Sequence, residues 1–207
     1  MKLLDLNSPL SSPQPRRGSD NLVLLLLPPR EIAEKLRLLG ETMRSHHSPW
    51  GSLRPTDHLH VTLFHFGNFA GLPADIVATA MQACAATAVA SQPFVVRMDQ
   101  AACWGKEGGN IPLVVSVRGR NSSLDQLHQR ATIQCSIRGL RSTKKSKFNP
   151  HVTLAYLKDS FSTETIEPIS WMAEEIVLIH SLMGQTKYIK LGRWNLGTQS
   201  QAPTPMV

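Results

Sequence analysis

The sequence predicts one folded domain that mixes α-helices with β-strands and consists of two similar halves. Apolar residues recur at the helical period in some segments and alternate or run together in others, so helices and strands are interspersed. The tetrapeptide HVTL occurs twice, at residues 60–63 and 151–154. A chain of 207 residues with 42% hydrophobic and 18% charged residues can bury a sizeable core. This composition excludes disordered and fibrous proteins.

The two ends of the chain differ from the part between them. Residues 1–20 hold Ser, Pro, Arg and Gly without an apolar period, and residues 198–207 (TQSQAPTPMV) resemble a second loose end. We therefore expect a flexible arm (1–20), a single two-lobed domain (21–197) and a flexible tail (198–207). The longest aliphatic run, 22–27, is too short to span a bilayer and lacks the cleavage pattern of a secretion signal. We expect no membrane association and a cytoplasmic location.

The first half is predicted to alternate strands and helices. Two prolines close its aliphatic run, which is typical of a strand buried on both faces. Ile32, Leu36 and Leu39 then lie at helical spacing, and Gly40 is expected to end that helix. An alanine-rich stretch without Gly or Pro favours a second helix. The predicted elements are strand 22–27, helix 31–39, strand 58–66, helix 75–90 and strand 94–98.

The second half is predicted to hold one helix and four strands. β-Branched residues favour its first strand, and Ser122 or Ser123 is expected to cap its helix. The segment GKEGGN (105–110) lacks the spacing of a phosphate-binding loop and is expected to be a hairpin loop beside a groove. The predicted elements are strand 111–117, helix 122–137, and strands 152–157, 176–180 and 188–196.

The charge of the chain indicates a class of partner, and its cysteines indicate which covalent and metal-binding features to expect. Lys and Arg number 22 against 15 Asp and Glu, which gives a formal charge of +7. Such an excess favours a polyanion such as nucleic acid, although a basic surface kept for solubility remains the alternative. Cys84, Cys103 and Cys135 are odd in number and widely spaced, which argues against a disulfide framework and a cysteine zinc site.

The repeated tetrapeptide predicts a paired site. Side chains alternate along a strand, so His60 and Thr62 share one face while the neighbouring aliphatic residues enter the core. The same holds for His151 and Thr153. If the halves pack about an approximate twofold axis, the two His–Thr pairs face each other across a cleft. A single histidine on a strand is more often structural, but two copies in the same register favour function.

Two such pairs suit displacement at phosphorus. One group must take a proton from the attacking nucleophile while another protonates the leaving oxygen on the opposite side. Histidine titrates near neutral pH and can fill either role. The threonine hydroxyls can donate hydrogen bonds to the non-bridging oxygens, where negative charge develops. No metal and no cofactor is needed in this scheme.

These residues resemble the 2H phosphoesterase superfamily, and most closely its RNA 2′,3′-cyclic phosphodiesterase branch, also called 2′-5′ RNA ligase. Arg54 and Pro55 precede the first motif as in the family, and a Phe-x-Pro-His sequence opens the second. The resemblance covers roughly residues 21–196. It is carried by NLVLLLLPPREIAEKL, LRPTDHLHVTLFHFGN, KFNPHVTLAYL and EEIVLIHSLMGQTKYIKLGRWNLG.

The resemblance implies an α+β, two-lobed pseudo-symmetric fold in which two antiparallel sheets flank a central groove, with helices outside. It implies metal-independent opening of a terminal 2′,3′-cyclic phosphate on RNA to a 2′-phosphate, and reversible 2′-5′ ligation. By the same analogy His60 is the general acid that protonates O3′, and His151 is the general base that activates water. We expect a monomer whose partners are RNA ends.

The resemblance also suggests substrate-binding residues and shows two departures. Tyr156 occupies a position where the family often has arginine, and Val23 and Leu24 stand where the opening strand often carries phenylalanine. A basic run without acids precedes the second motif and is expected to draw the RNA backbone toward the groove. The predicted substrate-binding residues are Arg54, Tyr156, Lys145, Lys147, Ser181 and Tyr188.

Several alternatives stay open. A metal site could be suggested by Asp57, His58, His60 and the nearby His46, His47 and His65. His58 and His60 share one face of the predicted strand, whereas His65 has the opposite parity if the strand stays regular. No cysteine or second histidine cluster completes four ligands. Trp50 and Trp104 could stack on bases, although tryptophans more often pack in a core. The chain could also be an RNA-binding module that keeps the fold without turnover, or a relative that cleaves another cyclic nucleotide or a 2′-5′ linkage.

Overall fold

The computed structural model of the chain describes residues 20–48, 50–105, 110–143 and 147–198. The predicted arm and tail therefore lie outside the described residues, except for Asp20, which begins the first strand, and Thr198. The helices are α1 (Arg30–His47), α2 (Ala74–Val89) and α3 (Ser122–Ser136). The strands are β1 (Asp20–Leu26), β2 (Ser52–Leu53), β3 (Val61–Phe69), β4 (Phe94–Cys103), β5 (Ile111–Ser116), β6 (His151–Leu157), β7 (Glu164–Ala173), β8 (Glu175–Leu182) and β9 (Lys187–Asn195).

The predicted fold class is confirmed. Within the described part of the chain, the strands form an antiparallel sheet in the order β7-β4-β5-β6-β3-β1-β8-β9, and β2 adds to β6. The two expected sheets are its two halves, β7-β4-β5-β6 and β3-β1-β8-β9. A single residue pair, Val61 with Val152, joins them between β3 and β6. The two HVTL segments therefore meet where the halves meet.

The helices cover one face of this sheet and leave the other open for the site. α1 packs against β6 and β7, whereas α2 and α3 pack on each other and reach β8, β9 and β3. Leu22, Leu24 and Leu26 of β1 enter the large core on the helical side. Val23 and Leu25 alternate with them and form a small cluster with β8 on the opposite face. We call this opposite face the groove face.

The structure corrects three local predictions. α1 does not end at Gly40 but continues to His47. Gly40 is buried, and a Cβ added there would lie only 3.1 Å from the Leu154 Cβ. Glycine at this position thus permits close packing on β6. The cap of α3 is Asn121 rather than a serine, since its side chain accepts a hydrogen bond from the Leu124 N–H at 3.0 Å. β7 and the short β2 were not predicted.

The three cysteines lie within the described residues. All three cysteines are free thiols, and burial raises the pKa of Cys135 to about 12 and that of Cys84 well above its usual range. Among the described residues, no helix combines the length and apolar character that crossing a membrane requires.

Candidate active site

The HVTL segments place their polar residues on the groove face, as their alternation predicts. Val61 and Val152 are fully buried in the core. His60 and Thr62, on either side of Val61, are partly exposed, as are His151 and Thr153. The partner of Thr62 on β1 is Leu25, which belongs to the groove-face cluster.

The pairing of Val61 with Val152 fixes how these side chains meet. Extending that antiparallel register by one residue in each direction sets His60 across from Thr153 and Thr62 across from His151. The two histidines are then diagonal neighbours, and the Cα atoms of diagonal neighbours in a sheet lie about 7–8 Å apart. The charge of His151 also acts on His60, which agrees with two imidazoles that lie near one another on the groove face.

Both histidines are held in the same way. The Nδ1 of His60 lies 2.7 Å from the carbonyl oxygen of His58, and the Nδ1 of His151 lies 2.8 Å from that of Asn149. A carbonyl oxygen only accepts, so each Nδ1 must carry its proton and donate it. Each Nε2 is therefore the nitrogen that titrates and that can transfer a proton.

The surroundings of the two rings differ. The ring of His60 lies 5.9 Å from that of Tyr188, and its pKa is lowered to about 4, chiefly by burial and further by the charges of Arg54 and His151. The hydrogen bond to the His58 carbonyl acts against this shift. The ring of His151 lies 4.6 Å from that of Trp104. The suggested stacking tryptophan thus contacts a candidate catalytic histidine, while Trp50 is 83% exposed.

Each HVTL strand contains a β-bulge at its leucine. Along β1 the partner changes from Thr62 to Phe64, so Leu63 is an extra residue, and along β5 the partner changes from Thr153 to Ala155. Leu154 is therefore the extra residue of β6. Both leucines enter the core together with the residues that follow them. Bulges of this kind re-aim the side chains beyond them.

The bulges bring two further side chains to the groove face. After Leu63, His65 pairs with Val23, and after Leu154, Tyr156 pairs with Pro112 on the same side as Thr153. A regular strand would have turned both away, as the parity argument for His65 assumed. That assumption is wrong, and the two adjacent apolar residues after each threonine were the sequence signal of the bulge.

Arg54 connects the first motif to the second. The strand β2 pairs Ser52 with Tyr156, which brings Arg54 beside that tyrosine. Its Nη1 donates to the Tyr156 hydroxyl at 3.3 Å and its Nη2 to the Tyr188 hydroxyl at 3.0 Å. The structure thus places a guanidinium next to the position where the family often carries an arginine.

Four of the six predicted substrate-binding residues line one cavity beside the histidines: Arg54, Tyr156, Ser181 and Tyr188. His58, which sequence reasoning considered only as a metal ligand, also lines it and stacks on Tyr188 with ring centroids 4.0 Å apart. Burial lowers the pKa of His58, so its ring is a neutral stacking partner at pH 7.

The predicted basic segment is described only in part. Lys145 lies outside the described residues, and Lys147 is exposed. Thr143 ties the segment to β3, because its N–H donates to the His65 carbonyl at 3.2 Å and its hydroxyl lies 2.6 Å from the His65 Nδ1. Among the described residues, no three His, Cys, Asp or Glu side chains are grouped so that they could hold a metal ion.

Comparison with known proteins relates this arrangement to a family. Residues 28–184 match the family described as the 2′-5′ RNA ligase superfamily. E. coli LigT complexed with 3′-AMP is similar at 24% identity and a TM-score of 0.66, over 86% of this chain and 99% of that one. TT0787 of Thermus thermophilus is similar at 18% identity and a TM-score of 0.67, over 87% of this chain and 100% of that one.

A more distant structure shares the fold as well. The MHV ns2 PDE domain is similar at 15% identity and a TM-score of 0.53, over 78% of this chain and 99% of that domain. A comparison with curated proteins found no match.

Proposed function

The chain belongs to the 2′-5′ RNA ligase superfamily, a superfamily of phosphoesterases, and from this premise we propose that it is a metal-independent RNA 2′,3′-cyclic phosphodiesterase. It would convert a terminal 2′,3′-cyclic phosphate to a 2′-phosphate and act in the cytoplasm as a monomer. One observation carries the proposal: two His–Thr pairs face one another around Val61 and Val152, and the Nε2 of each histidine is the nitrogen that can transfer a proton.

The geometry supports an in-line displacement. Water attacks phosphorus from one side while the bond from phosphorus to O3′ breaks on the other, and the phosphate stays on O2′. The base Nε2 takes a proton from the water and the acid Nε2 gives one to O3′, so the protons balance. Each transfer of this kind contributes about 10²–10⁴ in rate. When a 5′-hydroxyl end attacks the cyclic phosphate in place of water, the same bond to O3′ breaks and the product is a 2′-5′ linkage.

The family analogy assigns His60 as the acid and His151 as the base. In the free protein His60 has a pKa of about 4 and is therefore neutral at pH 7. An acid must arrive protonated, and a phosphate anion between the rings supplies the negative charge that raises this pKa. The assignment thus requires proton uptake at His60 when substrate binds. The opposite assignment needs no such uptake, because neutral His60 is already a base.

Thr62 and Thr153 complete the proposed site. Each lies across the strand pair from the histidine of the other motif, so each hydroxyl is next to the space between the rings. Hydroxyl donors in this position stabilise the charge on the non-bridging oxygens. We assign substrate binding to Arg54, Tyr156, Ser181, Tyr188, Lys145 and Lys147.

An RNA end is the substrate that the surroundings favour. The formal charge of +7 suits a polyanion. Similar structures of E. coli LigT were obtained with 3′-AMP and with ATP, so these relatives hold nucleotides. Val23 lies on the groove face whereas Leu24 enters the core, so only Val23 replaces a base-stacking aromatic.

The direct test is hydrolysis of an RNA that ends in a 2′,3′-cyclic phosphate. With EDTA present, we expect a 2′-phosphate product, and we expect His60→Ala and His151→Ala each to reduce turnover by about 10²–10⁴. His46→Ala is the matched control, because His46 is exposed at the end of α1. Loss of wild-type activity in EDTA would contradict metal independence.

The same assay separates the non-catalytic alternative. An RNA-binding module without turnover would give no product, and its RNA affinity would fall steeply with salt while alanine at either histidine changed it little.

A further inference from the structure

The cavity beside the histidines has a composition suited to an anion. It has a volume of about 250 Å³ and lies between the β2 segment and the turn that joins β8 to β9. Two cationic side chains, Arg54 and Lys187, line it, and no Asp or Glu of the described residues does so. Hydroxyl groups of Ser181 and Thr186 add hydrogen-bond donors.

The guanidinium in this cavity is positioned but not fully satisfied. Two tyrosine hydroxyls hold its Nη1 and Nη2. The Nε of Arg54 is buried and has no hydrogen-bond partner in the described part of the chain. Each Nη carries two N–H groups, of which a tyrosine hydroxyl takes one, and phosphate oxygens are acceptors that suit the planar guanidinium.

The turn opposite Arg54 is strained where it meets the cavity. Thr186 has φ of 49°, and among the described residues it is the only non-glycine with a positive φ. Threonine is β-branched and rarely adopts this conformation, so the turn holds it at a cost. The next residue, Lys187, is exposed and lines the cavity.

The cavity shares a wall with the candidate active site. The Tyr188 ring lies 5.9 Å from the His60 ring, while its hydroxyl accepts from Arg54. Burial lowers the pKa of His60 and raises that of Tyr188, and the positive charge of Arg54 acts toward a lower pKa at both. A ligand that spans this wall would therefore occupy both places at once.

We propose that this cavity binds a second phosphate group of the substrate, one nucleotide unit away from the phosphate that reacts. The inference rests on the proposed function and specifies its substrate as a nucleotide with at least two phosphates. Such a phosphate has two sources, the internucleotide diester of an RNA chain or the 5′-monoester of a free nucleotide. Both offer the same anionic oxygens to Arg54 and Lys187.

The test measures binding, so that it does not depend on turnover. By calorimetry, adenosine 2′,5′-bisphosphate should bind at least about 10-fold more tightly than adenosine 2′-monophosphate, as one added charge-assisted contact provides. Lys187→Gln should remove most of this difference. Lys35→Gln should preserve it, because Lys35 is an exposed lysine of α1 away from the cavity. Equal affinities, or no measurable bisphosphate binding, would overturn the inference.

A second arm separates the two sources of phosphate. The dinucleotide ApA with a 2′-phosphate on its 3′-terminal nucleotide and a 5′-hydroxyl has the internucleotide diester as its only second phosphate. If it binds more tightly than adenosine 2′-monophosphate and the gain in affinity depends on Lys187, the ligand is an RNA chain. A gain confined to the bisphosphate identifies a mononucleotide. If the bisphosphate binds tightly but no cyclic phosphate is hydrolysed, the cavity assignment stands and the proposed activity falls.

Discussion

His60, which directly precedes β3, lies beside Tyr188 and near the positive charge of Arg54, whereas His151, which begins β6, lies beside Trp104. The backbones of the two segments nevertheless match closely. Each histidine donates from Nδ1 to the carbonyl two residues before it, and each leucine forms a bulge. Equal backbones thus present equal imidazoles, and the side chains around them give each ring its own protonation behaviour. Acid and base roles can differ although the motifs are identical.

The largest expected effect separates these roles. Bis(p-nitrophenyl) phosphate has a leaving group that needs no proton, so loss of the general acid should matter little for it. If His60 is the acid, His60→Ala should keep most turnover of this ester while losing about 10²–10⁴ on the cyclic phosphate. His151→Ala should lose turnover of both, as steady-state kinetics would show. The reverse pattern would exchange the two roles.

A smaller effect tests whether the threonines are equivalent. Thr62→Val and Thr153→Val each remove a hydroxyl donor while keeping the shape of the side chain. We expect each to lower kcat by about 10²–10³ with little change in KM, because the hydrogen bond strengthens only as charge develops. Comparing kcat of the two variants tests the pseudo-symmetry. A loss in one variant alone would show that only one threonine faces the phosphoryl oxygens.

The smallest effect concerns stability and pH. The pKa of His60 is 6.5 without its surroundings and about 4 in the folded protein, so only the unfolded chain binds this proton between those values. The free energy of unfolding should therefore fall by up to about 3 kcal/mol from this group as the pH drops from 6.5 to 4. The free energy of unfolding can be measured in urea at both pH values. The decrease that comes from His60 should be absent in His60→Gln and present in His151→Gln.

If the free energy of unfolding fell equally with pH in the wild type and in His60→Gln, His60 would not be the source of the decrease. Carboxylates also titrate in the range, but their contribution is common to all three proteins and cancels in the comparison.

The repeated motif allowed the paired strands and the shared face of the four side chains to be predicted from sequence. Alternation was enough, because Val61 and Val152 must be buried and their neighbours must then face the other way. The prediction for His65 failed because a bulge depends on hydrogen bonding with the neighbouring strand, which a single strand does not reveal. The end of α1 failed because Gly40 serves its contact with Leu154 and not a helix cap.

The cavity could not have been predicted in the same way. Arg54 reaches Tyr156 and Tyr188 through contacts that span 102 and 134 residues of chain. No local pattern encodes such a meeting, since it depends on the pairing of β2 with β6 and of β8 with β9. Only the family resemblance suggested that these residues act together.

The extra leucine in each HVTL strand lies between the histidine, whose position the chemistry requires, and a groove-face residue that can be exchanged. Substitutions at position 65 or 156 change what the groove offers to a ligand, while the imidazoles ahead of the bulge keep their register. A lineage of such proteins could therefore acquire new nucleotide preferences by single exchanges at these two positions, without rebuilding the chemistry.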